Sequence, residues 1–199
     1  MNLVNTGDNM NSIFDYYNYH KDTPGDIHEH METLYKLSLE CDHITEMGVR
    51  GVVTTWAFLL ARPKKLVSYD AWPCPVDQAK KLAPTYGVEY EFKIGDTGNP
   101  ATVIEPTDLL FIDTWHIYEQ LKQELKLHGD YARKYIVMHD TSIFGDFRTG
   151  EHFDCYVKPG PEGKGLWPAV AEFLEENRNW KIKHRYINCC GLTVLERVF

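Results

Sequence analysis

Seven side chains in this sequence are of types that do chemistry, and they fall at matching places. Glu46, Asp70, Asp96, Asp113 and Asp140 each close or directly follow a short apolar run, and His116 and His139 stand beside the last two. One carboxylate in such a position is ordinarily a helix cap or a turn former. Five gathered on one edge would repel one another unless a ligand used them. The candidate users are a polar ligand's hydroxyls and a hard cation, which takes carboxylate oxygens. An imidazole is suited to accepting a proton near neutral pH. Singly, each acid reads as a cap; as a set they read as a site. His139 stands ahead of His116 as proton acceptor because it adjoins Asp140, and Asp113 and Asp140 are the candidate ligands for Mg2+.

The acids gather only if the elements carrying them run in parallel. Leu109-Leu110-Phe111-Ile112 is an unbroken apolar run that stops at Asp113, and Tyr135-Ile136-Val137-Met138 is another that stops at His139-Asp140. Between them Tyr118, Leu121, Leu125 and His128 recur at helical spacing. Strand, helix, strand is the simplest reading, and two buried strands joined by a crossover helix are parallel. Asp113 and Asp140 then leave the same edge of one sheet, the carboxyl edge at which open α/β sheets bind ligands.

The remaining chain supplies the rest of such a sheet. Short strands are expected at 42–47, 66–70 and 88–94, with a nearly all-apolar helix at 52–61 and another helix after Pro75. A short helix is expected near Pro100 to Ile104. Asp26, with Glu29 three residues on, reads as the capping box of a helix reaching Leu39, and His28 and His30 read as solvated surface histidines. Residues 1–25 carry no firm period and read as an arm, leaving 26–199 as a single domain. Ser142 to Gly165 holds five glycines and two prolines and reads as a lid or binding loop. A helix from Trp167 and a closing antiparallel hairpin over 180–195 complete a doubly wound, Rossmann-like α/β sheet, mostly parallel with an antiparallel C-terminal strand.

At 199 residues the chain can bury a substantial core without disulfides. A net charge of −8 with scattered Lys and Arg argues against a nucleic-acid backbone as partner. The five cysteines have neither CxxC nor zinc-ligand spacing, which fits reduced thiols in the cytoplasm. No apolar run is long enough for a membrane span, and residues 1–19 lack a signal-peptide core. The expected partner is a small-molecule acceptor, with self-association left open.

Gly48 and Gly51 allow the backbone to turn and approach a ligand at a helix start. Asp70 follows Gly48 by 22 residues, near the spacing of about 20 for an acid that accepts hydrogen bonds from ribose hydroxyls. The glycine pattern lacks the dinucleotide fingerprint, so a ligand with a ribose and no pyrophosphate fits better. Here the chain, over roughly 42–197, resembles the class I S-adenosylmethionine-dependent methyltransferases, closest to a small-molecule branch that includes sugar and antibiotic O-methyltransferases. Glu46-Met47-Gly48-Val49-Arg50-Gly51, Ser68-Tyr69-Asp70, Ile94-Gly95-Asp96-Thr97, Phe111 to His116 and Met138 to Thr141 look like that family's successive strand-end motifs. The resemblance implies S-adenosylmethionine as cofactor. Gly48 would face its carboxypropyl end with Glu46 and Arg50 nearby, Asp70 would hold the ribose, Asp96 and Thr97 would sit by the adenine, and Asp113 would also bind the cofactor. Arg50 departs from the family's more glycine-rich loop. The competing readings are a nicotinamide-dependent oxidoreductase and an inactive nucleoside-binding protein of the same fold.

Overall fold

The structure, a computed structural model, describes residues 10–145 and 164–198. Its sheet grows from the buried runs found in the sequence. The strands are β1 (His43–Met47), β2 (Lys65–Asp70), β3 (Glu89–Ile94), β4 (Thr107–Ile112), β5 (Ala132–His139), β6 (Trp180–Tyr186) and β7 (Leu192–Arg197). They lie in the order β3-β2-β1-β4-β5-β7-β6. β1 through β5 pair in parallel, and β7 enters antiparallel between β5 and β6. This is the doubly wound sheet with an antiparallel C-terminal strand that the apolar runs lead one to expect.

The helices cover both faces, which is why the central strands read as continuous apolar runs. On one face lie α1 (Ile13–Asp22), α2 (Met31–Ser38), α3 (Thr54–Leu60) and α4 (Asp77–Leu82). Ile13, Leu34, Phe58 and Ala79 meet Leu109, Phe111 and Val137 there. On the other lie α5 (Tyr118–His128) and α6 (Leu166–Glu176), whose Leu121, Leu125, Val170 and Phe173 meet Leu110, Ile112, Ile136 and Met138. Successive residues of β4 and β5 thus feed opposite layers, as the two-residue period of a strand requires. Among the described residues, no helix is long and apolar enough to cross a membrane.

Four expectations about local structure are corrected. Residues 13–22, expected to lack regular structure, form α1 with a Ser12–Asp15 capping box, and Tyr16 stacks on Trp56 with ring centroids 4.1 Å apart. Asp26 caps no helix. It pairs with Arg50 at 2.6 Å, and the chain enters α2 through a 3₁₀ turn, His28–His30, that has no side-chain cap. His30 is not solvated: it is 1% exposed, and its Nε2 donates to the Asn188 carbonyl at 3.0 Å. No helix forms at 100–104. Asp96 and Asn99 instead accept hydrogen bonds from the backbone N–H groups of Gly98 and Ala101, each at 2.9 Å. Such local side-chain bonds compete with helix formation. The expected lid at 142–165 lies mostly outside the described residues.

Candidate active site

The sheet order reverses at β1, between β2 and β4, and the crevice beyond the carboxyl ends there holds a cleft of about 570 Å³. The cleft is lined by Gly48, Arg50, Asp70, Asp96, Thr97, Asp113, His116 and Asp140. Four of the five strand-end acids are therefore gathered as the parallel reading requires. Glu46 does not line the cleft, and neither does His139; both lie behind its wall.

The loop after β1 begins the site. Gly48 donates to the Tyr69 carbonyl at 2.8 Å and has φ +88°. A Cβ there would stand 1.9 Å from the Asp113 carbonyl oxygen, so only glycine lets β1 and β4 end this close together. Arg50 and Val52 also have positive φ, at 44° and 61°. Glycine reaches this left-handed conformation without strain, whereas side chains such as these rarely do. Asp70 holds the loop in place: its Oδ2 accepts from the N–H groups of Val49 and Arg50 at 2.9 and 3.0 Å, and its Oδ1 from that of Trp72 at 3.0 Å. Burial opposes ionisation of Asp70, but these backbone donors outweigh it and keep its pKa below the ordinary value.

Glu46, expected near the cofactor, is instead fully buried beneath the loop. Thr54 donates to it at 2.6 Å, Thr55 at 2.9 Å and Ser68 at 2.5 Å. Burial pushes its pKa up to about 7 despite the three hydroxyls. The register pairs Glu46 with Ser68 across β1 and β2. That pairing, with the Thr54-Thr55 pair opening α3, is the sequence signal for a buried carboxylate. A second one escaped the sequence reading. Glu124 lies on the inward face of α5 and accepts from Thr97, from Thr114 at 2.9 Å and from Gln120 at 3.0 Å. Burial pushes it, too, up to about 7. Its spacing from Leu121 and His128 marks it as inward-facing, and it ties the loop after β3 to the loop after β4.

Glu46 has a consequence for stability. Its folded pKa is raised above the unfolded value near 4.5, so the folded chain holds an extra proton between those values. The stabilisation is full below the unfolded pKa and is lost as pH rises toward 7, on the order of 3 kcal/mol. The difference in unfolding free energy between wild type and Glu46→Gln should therefore shift in favour of the variant from about pH 5 to pH 7. Parallel pH profiles would contradict this.

At the other end of the cleft two histidines meet two aspartates. His116 Nε2 lies 2.8 Å from Asp140 Oδ2 and 3.2 Å from Asp113 Oδ1, and its ring stacks on Phe144 with centroids 4.7 Å apart. His139 Nε2 points away from the acids and contacts the carbonyls of Asp26 and Cys189, each at 3.1 Å. Carbonyls only accept, so Nε2 carries hydrogen. His139 Nδ1 then faces Asp140 Oδ2 at 3.3 Å and Asp113 Oδ2 at 3.5 Å. Burial alone would lower both imidazole pKa values, but the aspartates raise His116 to about 9 and His139 to about 11. Burial likewise opposes ionisation of Asp113 and Asp140, and the two histidines hold both below the ordinary carboxylate range. Asp140 has φ 59°, a turn of the backbone that brings its carboxylate beside that of Asp113.

Sequence reasoning also missed Asp26, Trp72, Trp115 and Gln120 in the cleft wall. Trp72 and Trp115 are 75% and 60% exposed, large aromatic faces of a kind that usually finds a partner.

No protein-family model and no curated protein matches the sequence. Solved structures do match in fold. The S-adenosylhomocysteine-bound methyltransferase PaMTH1 of Podospora anserina aligns over 96% of this chain and 89% of its own, with TM-score 0.63 and 14% identity. A putative caffeoyl-CoA O-methyltransferase of Staphylococcus aureus aligns over 94% and 93%, with TM-score 0.62 and 13% identity. The N-methyltransferase NodS of Bradyrhizobium japonicum aligns over 89% and 99%, with TM-score 0.58 and 14% identity. The strand order, the antiparallel β7 and these matches together establish that the chain has the class I methyltransferase fold.

Proposed function

We propose that the chain binds S-adenosylmethionine in this cleft and transfers its methyl group to a hydroxyl of a small molecule. The observation that carries the reading is the order of groups along the crevice. In the strand order β3-β2-β1-β4-β5, the Asp96–Thr97 turn, Asp70 and the Gly48 loop follow the first three strands, and Asp113, His116 and Asp140 follow the next two. The first group suits an amino-acid tail, a ribose and an adenine. The second suits the oxygen that attacks the methyl carbon. Methyl transfer needs that oxygen aligned with the sulfonium and relieved of its proton. His116 suits the second task, because it lines the cleft and the aspartates orient its ring. Held between two carboxylates it rests protonated, so it gives up its own proton before accepting another. His139, ranked first from sequence, has its Nε2 committed to two carbonyls and no face in the cleft, which supports a holding role instead.

The Asp113–Asp140 pair also supports a divalent cation, for which Mg2+ was the sequence-based expectation. The residues fit one: oxygens of both acids and His139 Nδ1 lie within 4.8 Å of one another. His139 Nδ1 lies 3.3 and 3.5 Å from the two carboxylates, so a cation there would take the place of the proton the ring holds between them. A bound cation would lower the acceptor hydroxyl's pKa and orient it. The exposed face of Trp115 beside His116 supports an acceptor with a flat apolar side, a sugar ring among them.

Asp70 offers the direct test. S-adenosylhomocysteine should raise the melting temperature, as any ligand of the native state does. Asp70→Ala, which frees three backbone N–H groups and removes the ribose acceptor, should weaken that binding by about tenfold or more. Unchanged affinity would remove Asp70 from the cofactor site.

A further inference from the structure

We infer that Glu124 is a positioning residue that couples the two ends of the cleft, so that a base seated on the Asp96–Thr97 turn steadies the loop carrying Asp113 and His116. The inference rests on the reading of this cleft as a cofactor site and adds to it a residue that does not itself line the cleft. α5 turns an apolar face of Tyr118, Leu121 and Leu125 toward the sheet, and Glu124 breaks that face. Its side chain is fully buried, and its donors are neutral: the hydroxyls of Thr97 and Thr114 and the amide of Gln120. A carboxylate buried among neutral donors costs the fold more than a leucine in the same place. Glu124 does what a leucine cannot, which is to join two loops. Thr97 belongs to the turn after β3, and Thr114 follows Asp113 at the end of β4. Thr114 Oγ1 lies 2.9 Å from both carboxylate oxygens, and Thr97 Oγ1 donates to Oε1, one of the same two.

Both ends of the link are firmly held. Gln120, Glu124 and His128 are spaced four apart and form one stripe along α5. His128 Nε2 donates to the Thr97 carbonyl at 2.8 Å, so α5 grips Thr97 by its carbonyl as well as by its hydroxyl. Gln120 Nε2 reaches Glu124 Oε1 at 3.0 Å and Asp96 Oδ1 at 3.4 Å, and a Cβ on Gly98 would stand 2.7 Å from Gln120 Oε1. The turn after β3 therefore lies hard against the helix. On the far side Thr114 stands between His116 and Asp113, whose N–H donates to the Met47 carbonyl at 2.8 Å. A ligand that orders the turn also orders the far loop through Glu124, so a second ligand at Asp113 and His116 meets a loop already in place. Linkage makes the effect reciprocal: an acceptor bound at the far loop tightens the cofactor by the same factor.

The test is hydrogen exchange on the full chain, with adenosine as a probe that reaches only the base and ribose end of the cleft. Saturating adenosine should slow exchange in peptides covering 95–98 and also, by about fivefold or more, in those covering 113–117. Glu124→Leu should keep the first effect and lose the second. Glu124→Gln, which keeps the volume and one acceptor oxygen, should fall between the two. Without any ligand, Thr97→Val should speed exchange at 113–117 and should add nothing in the Glu124→Leu background, because both changes cut the same link. A side chain that served stability alone would leave the two substitutions additive. Unchanged exchange at 113–117 in Thr97→Val would overturn the inference, as would adenosine protection there that survives in a folded Glu124→Leu. If the ligand-free coupling is present while neither adenosine nor S-adenosylhomocysteine binds, the link stands and the cofactor reading fails. If both bind and the loops respond independently, that reading stands and the link is wrong.

Discussion

Gly48→Ala is expected to destabilise the fold by about 3 kcal/mol or more and to weaken S-adenosylhomocysteine binding sharply. The new methyl would overlap the Asp113 carbonyl oxygen at 1.9 Å and its carbon at 2.6 Å, both backbone atoms at the end of β4. No side-chain rotation relieves such a clash, so either β1 and β4 separate or the loop leaves its place. Both outcomes disturb the wall that holds Asp70 and Asp113. Gly87 supplies the control. It too has positive φ, at +77°, but a Cβ there meets nothing within 4 Å. Gly87→Ala should cost only the left-handed backbone penalty of roughly 1–2 kcal/mol and leave ligand affinity alone. Equal effects of the two substitutions in denaturant unfolding would show that conformation, not crowding at the strand ends, sets the need for glycine at 48.

The contrast between those glycines marks how far the sequence could be read. The central strands β4 and β5 were legible because both their faces are covered, which leaves unbroken apolar runs ending at acids. Gly48, Asp70, Asp113 and Asp140 follow from where buried strands stop, and Asp96 follows from the alternation of the half-exposed β3 that precedes it. Helix α1 was not legible. It buries only Ile13 and Tyr17, too few apolar positions to stand out among Asn, Asp and Tyr. The burial of His30 and the setting of His139 were hidden for a related reason. Their surroundings come from the turn around Asn188 and Cys189, more than a hundred residues from His30 and about fifty from His139. A residue's neighbours along the chain cannot report that a distant turn closes over it. Glu46 was recognised as a strand-end acid, but its depth depends on hydroxyls arriving from α3 and β2.

The second large effect is expected at His116. With any accepted hydroxyl compound, His116→Ala should lower turnover by about a hundredfold or more, the usual contribution of a positioned acid–base group. S-adenosylhomocysteine affinity should change little, because the ring faces Asp113, Asp140 and Phe144. His139→Ala should behave differently. It removes a buried ring whose Nε2 contacts the Asp26 and Cys189 carbonyls, so it should cost about 2 kcal/mol of stability. The two histidines, three residues from Asp113 and adjacent to Asp140, thus separate into a proton acceptor and a holding residue. Full turnover by His116→Ala would end its role as proton acceptor and leave proximity or a cation to activate the hydroxyl.

The claim on which the rest depends is that the crevice beyond β1, β2 and β4 accepts S-adenosylmethionine and not a dinucleotide. Calorimetric titration of the intact protein with S-adenosylhomocysteine and, separately, with NAD tests it most directly. One S-adenosylhomocysteine per chain should bind, with no heat from NAD, because the Gly48 loop lacks the glycine spacing that cradles a pyrophosphate. NAD binding without S-adenosylhomocysteine binding would contradict the account.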